Sequence, residues 1–250
     1  MKIFNEEIVK QFPDAILFDT DNTLYPYDPA HEAALEAIEN KVVESFSVNS
    51  ADFNRSFKQA RSDVKLRLEG TAASHSRLLY MQRMLEIMGL GPQVLLALDL
   101  EQTYWRTFLA NAEIFEGVQE LLEDIRLWGI PTAIVTDLTA QIQFRKIVYF
   151  GLDHYFDEIV TSEEAGFDKP KKEPFQLALE KLNPKGNCIW MVGDNPVNDI
   201  QGARESIGAV TFQKIHKGVS LGEDSCLPDV SFKEFSKLRE LLIRLNEANQ

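Results

Sequence analysis

The 250-residue chain has little cysteine and a shortage of positive charge. Its two cysteines, Cys188 and Cys226, are too few and too far apart for a disulfide framework or a Cys-x-x-Cys metal site. Lysine and arginine number 26 against 39 aspartates and glutamates, so the net charge is −13. Nucleic acid and anionic membranes are bound by basic surfaces. We therefore expect neither of them as a partner.

Long hydrophobic runs are also missing. The apolar stretch at residues 94–98 ends at Asp99, far short of the roughly 20 residues that span a bilayer. The first residues include Glu6 and Glu7, which makes them too acidic for a secretory signal. The expected location is the cytoplasm.

Two kinds of hydrophobic pattern divide the chain. From about residue 30 to residue 110 the apolar residues recur at helical spacing, which predicts four helices. The first is indicated by Leu35, Ile38, Val42 and Phe46, and the fourth by Leu95, Leu98, Trp105 and Phe108. From Gly117 onward strands and helices alternate, which predicts a parallel sheet covered on both faces. The predicted fold class is α/β, a Rossmann-like doubly wound parallel sheet with an inserted all-α module.

Four short polar segments stand out against this pattern: residues 19–23, 136–137, 169–170 and 193–199. Three of them directly follow short apolar runs, at residues 15–18, 132–135 and 188–192. The carboxyl ends of parallel strands share one edge of the sheet, and ligands bind at that edge. We therefore predict that the four segments form a single site.

The acidic residues of these segments indicate a metal. Asp19 and Asp21 are two apart and project to the same side of an extended segment. Close carboxylates resist simultaneous ionisation unless a cation or hydrogen-bond donors compensate. Asp194 and Asp199 would add two more acids, and such hard oxygens without histidine or thiol match Mg²⁺ better than zinc. Lys169 would supply a fixed positive charge.

The four segments resemble the motifs of the haloacid dehalogenase superfamily of phosphohydrolases, and the resemblance covers nearly the whole chain. Residues 24–110 look like the C1-type helical cap of its subfamily I, inserted after the first motif. Residues 1–23 and 111–250 would then form the catalytic core. The return segment at residues 114–122 is similar to the family's re-entry helix.

The resemblance implies a role for each matching residue. Asp19 would attack phosphorus and form an aspartyl-phosphate, and Asp21 would act as general acid and then as general base. Mg²⁺ would be held by Asp19, Asp194 and the backbone carbonyl of Asp21, with Asp199 acting through water. The implied phosphate-binding residues are Asn22, Thr136, Asp137 and Lys169. Asp137 departs from the family pattern, because an asparagine often stands at this position.

A Mg²⁺-dependent phosphomonoesterase acting on a small phosphorylated metabolite is the implied function. Residues 21–25 are similar to the branch that holds pyrimidine 5′-nucleotidases, which places nucleoside monophosphates first and phosphosugars second. A phosphosugar mutase and a catalytically idle protein-binding module remain as alternatives. Dehalogenation is rejected, because Asp21 is present and carbon–halogen cleavage releases no alkoxide that needs a proton.

Several of these residues also have simpler interpretations. Thr136 alone predicts a helix N-cap, because the pattern turns helical from Leu138, and Asp199 alone would be an acid at a helix start. In the helical module, Arg61 and Lys65 either belong to a solvated face or bind an anionic part of the substrate. Four aromatic residues either pack the module or stack on a base or sugar: Tyr25, Tyr27, Tyr80 and Trp105.

Overall fold

The computed structural model describes residues 1–46 and 48–249. The chain divides into two compact units. The first, called here the α/β unit, comprises Met1–Pro26 and Glu113–Gln250, and the second, the helical unit, comprises Tyr27–Ala112. Within the described residues, every helix is too short or too polar to span a bilayer.

Four α-helices make up most of the helical unit as described: α1 (Tyr27–Phe46), α2 (Ser50–Arg67), α3 (Arg77–Ile87) and α4 (Val94–Ala110). Side-chain caps fix two of their starts. Asn49 accepts a hydrogen bond from the Asp52 amide at 2.8 Å, and Ser76 accepts one from the Leu79 amide at 3.3 Å. Such caps satisfy amide groups that have no partner in the first helical turn. The prediction of four helices is confirmed.

Two of the four apolar residues that indicate α4 lie outside its buried face. Leu95 and Leu98 are 84% and 48% exposed, and the buried residues of the helix begin instead with Ala97 and Leu100. Residues 94–98 are all apolar. Because every position in that stretch is apolar, periodicity cannot choose between the faces of the helix.

In the described part of the α/β unit, seven strands form one sheet: β1 (Lys2–Ile3), β2 (Ala15–Phe18), β3 (Thr132–Thr136), β4 (Glu158–Thr161), β5 (Ile189–Gly193), β6 (Val210–Lys214) and β7 (Val230–Phe232). Their order is β1-β7-β6-β5-β2-β3-β4. Neighbouring strands are parallel except for β1 and β7. The α/β fold class is confirmed, and the antiparallel edge pair is an addition. Strands of two and three residues are too short to leave a periodic signal.

The α-helices described in this unit lie between the strands or, for α10, after the last one: α5 (Val118–Leu127), α6 (Ala140–Tyr149), α7 (Ser162–Ala165), α8 (Lys172–Leu182), α9 (Gly202–Ile207) and α10 (Phe235–Asn249). Strands β2, β3 and β5 are buried along their whole length. On one face of the sheet, Leu17, Val135 and Met191 pack in a cluster with Phe175 of α8 and Ala203 of α9. Burial on both faces explains why these strands are almost uniformly apolar.

Strand register determines where the polar segments begin. Phe18, the last residue of β2, pairs with Ile134 of β3 and with Val192 of β5. The three strands therefore end within two residues of one another at the same edge of the sheet. This edge brings together the segments that follow them.

Candidate active site

Asp19 is the first residue after β2 and is held at the sheet edge by its neighbours. Its amide donates to the Val192 carbonyl of β5 at 2.9 Å. Its carboxylate Oδ2 accepts a hydrogen bond from the Thr23 hydroxyl at 3.0 Å. Asp19 is buried. A buried, fixed carboxylate at this position is suited to act on a ligand bound at the sheet edge.

Lys169 joins three of the polar segments. Its ammonium Nζ donates to Asp19 Oδ1 at 2.7 Å, to Asp199 Oδ1 at 2.6 Å and to the Val135 carbonyl at 2.9 Å. The side chain is buried. Burial alone would disfavour the charge, but Asp19 and Asp199 raise the pKa of Lys169 well above its usual value. Lys169 is therefore a fixed cation between two acids.

Asp199 lies in a π-helical turn, Pro196–Gln201, that precedes α9. Its Oδ2 accepts the amides of Asp194 at 3.1 Å and Asn195 at 2.9 Å. A Cβ on Gly193 would lie 2.4 Å from the Asp199 Cβ, so only glycine leaves room for this side chain. The interpretation of Asp199 as an ordinary helix-start acid is incomplete, since its carboxylate is buried and paired with Lys169.

Three carboxylates gather at this edge. One oxygen from each of Asp19, Asp194 and Asp199 lies within 4.8 Å of the others. Burial, reinforced by the charge of Asp199, raises the pKa of Asp19 to about 7 against the opposing effect of Lys169. Burial and the charges of Asp199 and Asp19 raise the pKa of Asp194 to about 9. One lysine therefore does not balance the three acids, and a further cation would favour their ionised forms.

Asp21 lies at the same sheet edge but makes different contacts. Its carboxylate oxygens accept hydrogen bonds from Lys146 Nζ at 2.8 and 3.0 Å, and Oδ1 also accepts one from the Tyr25 hydroxyl. In the described part of the chain, the cluster of three acids does not include the Asp21 carboxylate. The predicted metal contact of Asp21 concerns its backbone carbonyl and remains a prediction.

Thr136 is the last residue of β3, and α6 begins four residues later at Ala140. The interpretation of Thr136 as a helix N-cap is therefore wrong. Its hydroxyl instead lies 2.9 Å from the Thr20 hydroxyl and accepts a hydrogen bond from Gln143 Nε2 at 2.8 Å. Both contacts fix the hydroxyl beside the first polar segment.

Asp137 and Asn22 are the two other residues predicted to bind phosphate. Asp137 Oδ1 accepts the backbone amide of Lys169 at 2.9 Å, which ties the second and third segments together. Asn22 has a left-handed backbone conformation, φ 62°, which asparagine adopts more readily than most residues. Direct contact of either residue with phosphate remains a prediction.

Sequence reasoning missed two residues of α6, Gln143 and Lys146. Both are buried and lie on the same helix face as the buried Ile142 and Ile147. The available signal was the placement of two polar residues, three apart, in the apolar stripe of an amphipathic helix. Their contacts bring the α6 helix to Thr136 and Asp21 respectively.

The burial of three of the four aromatic residues favours packing over stacking on a ligand, whereas Tyr27 is half-buried and its role remains a prediction. Tyr25 is buried in the α/β unit, with its ring 4.8 Å from that of Phe150. Tyr80 and Trp105 are buried in the helical unit. Anion binding by Arg61 or Lys65 of the helical unit remains a prediction.

Comparisons with known proteins agree with this geometry. Residues 13–206 match the family model for a haloacid dehalogenase-like hydrolase. A ribulose-1,5-bisphosphate 5-phosphatase from Halopiger xanaduensis is 38% identical over 76% of this chain and 80% of its own length. A glyceraldehyde 3-phosphate phosphatase from Methanopyrus kandleri is 29% identical over 91% of this chain and 95% of its own.

A solved structure shows the same fold. It is a haloacid dehalogenase-type phosphatase from Thermococcus onnurineus, with a TM-score of 0.70 and 22% identity over 91% of this chain and 97% of that chain. The chain belongs to the haloacid dehalogenase-like hydrolase family and is an enzyme, a hydrolase of phosphate esters.

Proposed function

We propose that this enzyme is a Mg²⁺-dependent phosphomonoesterase that works through an aspartyl-phosphate on Asp19. The observation that carries the proposal is the placement of Asp19. It lies buried at the end of β2, hydrogen-bonded to the Lys169 ammonium and close to the carboxylates of Asp194 and Asp199. This arrangement combines a nucleophilic oxygen with the charges that phosphoryl transfer requires.

The residues present fit Mg²⁺. Their donor set consists only of carboxylate oxygens from Asp19, Asp194 and Asp199, together with the Asp21 carbonyl that the family resemblance implies. Hard oxygen ligands suit Mg²⁺. Burial, together with the charges of neighbouring acids, raises the pKa values of Asp19 and Asp194 even with Lys169 present, and a bound cation would oppose that effect. When bound, the ion would supply charge neutralisation for the transferring phosphoryl group.

The side chains of this site divide the chemistry among them. An oxygen of Asp19 forms the new bond to phosphorus while the bond to the ester oxygen breaks, and Asp21 gives the departing oxygen its proton. Water then attacks the aspartyl-phosphate and passes a proton to Asp21, which releases inorganic phosphate and restores Asp19. Lys169 holds positive charge beside the reacting oxygen, and the Thr136 hydroxyl donates to the phosphate.

We propose a phosphosugar as the substrate. The two relatives described above act on ribulose 1,5-bisphosphate and on glyceraldehyde 3-phosphate, as their names state. Both relatives are aligned over most of their own length. Their agreement outweighs the short similarity of residues 21–25 to pyrimidine 5′-nucleotidases, so phosphosugars now come before nucleoside monophosphates.

A substrate panel tests the proposal. The purified chain is incubated with ribulose 1,5-bisphosphate, glyceraldehyde 3-phosphate and uridine 5′-monophosphate, with Mg²⁺ or with a chelator, and released inorganic phosphate is measured. We expect phosphate from at least one phosphosugar, at a higher kcat/KM than from the nucleotide, and only when Mg²⁺ is present. Absence of phosphate release from every ester would overturn the proposal. An isomeric sugar phosphate formed without free phosphate would establish a mutase instead.

A further inference from the structure

Lys146 is an unusual residue for the position it occupies. It lies on the buried side of α6, between Ile142 and Ile147, and only 2% of its surface is exposed. Burying an ammonium group is unfavourable unless an acid or other hydrogen-bond acceptor compensates. The two carboxylate oxygens of Asp21 provide that compensation, at 2.8 and 3.0 Å from Nζ.

Tyr25 makes the second side-chain contact to the same acid. Its hydroxyl donates to Asp21 Oδ1, the oxygen that is 2.8 Å from Lys146. The Tyr25 ring is itself fixed, since it is buried against Phe150 and lies 5.9 Å from the Lys146 ammonium. Two donors from separate segments therefore set the direction of one carboxylate. An aspartate held only by solvent would sample several rotamers.

The site thus contains two lysines that pair with different aspartates. Lys169 contacts Asp19, the proposed nucleophile, and Lys146 contacts Asp21, the proposed acid and base. We propose that Lys146 is a positioning residue that orients the Asp21 carboxylate for proton transfer to the leaving oxygen. This inference rests on the proposed function, because it assigns Lys146 a role through Asp21. Lys146 lies outside the four polar segments that resemble the family motifs.

The leaving group distinguishes this role from a purely structural one. A sugar alkoxide is strongly basic and needs a proton as it departs, whereas 4-nitrophenolate is a weak base and departs without one. Loss of acid positioning should therefore slow hydrolysis of a sugar phosphate much more than hydrolysis of 4-nitrophenyl phosphate. A general loss of folded enzyme would slow both equally.

Lys146→Met tests the proposal. The value to compare is kcat/KM, which covers the steps up to departure of the leaving group and excludes the later hydrolysis of the aspartyl-phosphate. With the best phosphosugar of the panel, we expect kcat/KM to fall about 100-fold, and with 4-nitrophenyl phosphate less than about threefold. Lys146→Arg keeps a cationic donor and should recover part of the lost rate on the sugar phosphate.

Two further variants sharpen the test. Asp21→Asn should show the same dependence on the leaving group, and adding Lys146→Met to it should cause little further loss, because both changes act on one proton transfer. Lys214→Met is the matched control. Lys214 is also a buried lysine of the α/β unit, but its ammonium donates to the carbonyl of Lys233 and lies 3.9 Å from the Phe115 ring. We expect Lys214→Met to leave the ratio of the two kcat/KM values unchanged.

Equal losses on both substrates in Lys146→Met, or unchanged rates on both, would overturn the inference while leaving the proposed function intact. The inference would also be overturned if Lys146→Met and Asp21→Asn lower kcat/KM on the sugar phosphate independently, so that the double variant loses the product of the two single losses. Failure of the proposed function has a different signature, since the unmodified enzyme would then release no phosphate from either ester. A melting curve for each variant shows whether the activity loss in Lys146→Met accompanies unfolding. If it does, Lys146→Arg replaces it as the test, because this variant keeps a cationic donor and should recover part of the rate on the sugar phosphate.

Discussion

Two cations, Lys169 of the α/β unit and Arg77 of the helical unit, are compensated in different ways. In the α/β unit, Lys169 lies between the carboxylates of Asp19 and Asp199. In the helical unit, the Arg77 guanidinium lies 5.3–5.5 Å from the ring centres of Trp105, Tyr104 and Tyr80. Among the residues that the structure describes, Arg77 has no carboxylate partner. Lys169 is compensated by ion pairs, and Arg77 by aromatic rings and by hydrogen bonds to the Tyr27 hydroxyl and the His75 carbonyl.

This difference explains why the α/β cluster, the acids around Lys169, could be found from the sequence, whereas the helical cluster, the aromatic residues around Arg77, could not. The α/β cluster is built from residues that directly follow strands, so each contributes a short recognisable segment at a predictable place. The helical cluster draws single residues from α1, α3 and α4, which are linked by contacts such as that between His31 Nδ1 and the Tyr104 hydroxyl at 2.6 Å. Helical periodicity predicts the helices but does not show which polar residues meet.

The largest expected effect comes from removing the paired cation. In metal-free buffer at neutral pH, Lys169→Met should lower the free energy of unfolding by about 3–5 kcal/mol, because it leaves Asp19 and Asp199 buried without compensation. Arg77→Met should lower it by only about 1–2 kcal/mol, since it removes cation–π contacts and packing but leaves no unpaired acid. Denaturant titration of both variants measures the contrast.

Lowering the pH should reduce the Lys169→Met penalty, because Asp19, whose pKa burial raises to about 7, then becomes neutral. Equal penalties for the two variants at neutral pH would show that the ion pairs of Lys169 and the aromatic contacts of Arg77 do not differ in their contribution to stability.

A second, smaller effect belongs to the helical unit. Burial, assisted by Arg77 and Arg61, lowers the pKa of His31 from 6.5 to about 4. As the pH falls, His31 is therefore protonated at a lower pH in the folded state than in the unfolded state. The stability that this difference provides is complete above about pH 6.5. Between that pH and about pH 4, the free energy of unfolding falls by at most about 3 kcal/mol for this reason. The free energy of unfolding of the unmodified chain and of His31→Gln should converge over this range.

His154→Gln replaces an exposed histidine of the α/β unit and serves as the control. If the curves for the unmodified chain and His31→Gln stay parallel from pH 7 to pH 4, the helical cluster does not hold His31 neutral.

The smallest expected effect tests how closely the acids of the α/β unit are packed. Gly193→Ala would place a Cβ 2.4 Å from Asp199, so we expect a loss of about 1–3 kcal/mol in stability and a displaced Asp199. Phosphatase activity should fall with it. Gly151→Ala is the control. Alanine is unfavourable there because of the φ of 65°, but no atom lies within 4 Å of the added Cβ.

Gly151→Ala should therefore lose stability and keep activity. If Gly193→Ala retains full phosphatase activity, then the position of Asp199 is not as restricted as the contact to Gly193 indicates.

Much of the α/β unit was predictable because its signals are local. The strand ends at Phe18, Thr136 and Gly193 mark the sheet edge, and the polar residues after them were predicted to meet there. Lys146 was not predicted, since its place in the apolar stripe of α6 is a weak signal and does not show which acid the lysine contacts. The antiparallel pairing of β1 with β7 was also missed, because such short strands carry no periodic pattern.

In the proposed mechanism, Asp19 becomes phosphorylated during each turnover. Acid quenching of the enzyme with a phosphosugar it hydrolyses, followed by peptide mapping with mass spectrometry, tests this step directly. We expect a phosphoryl group on Asp19 that is absent from Asp19→Asn, and this variant should also lose at least about 1,000-fold in kcat. A phosphoryl group on another residue, or an Asp19→Asn variant that turns over at the rate of the unmodified enzyme, would contradict this mechanism.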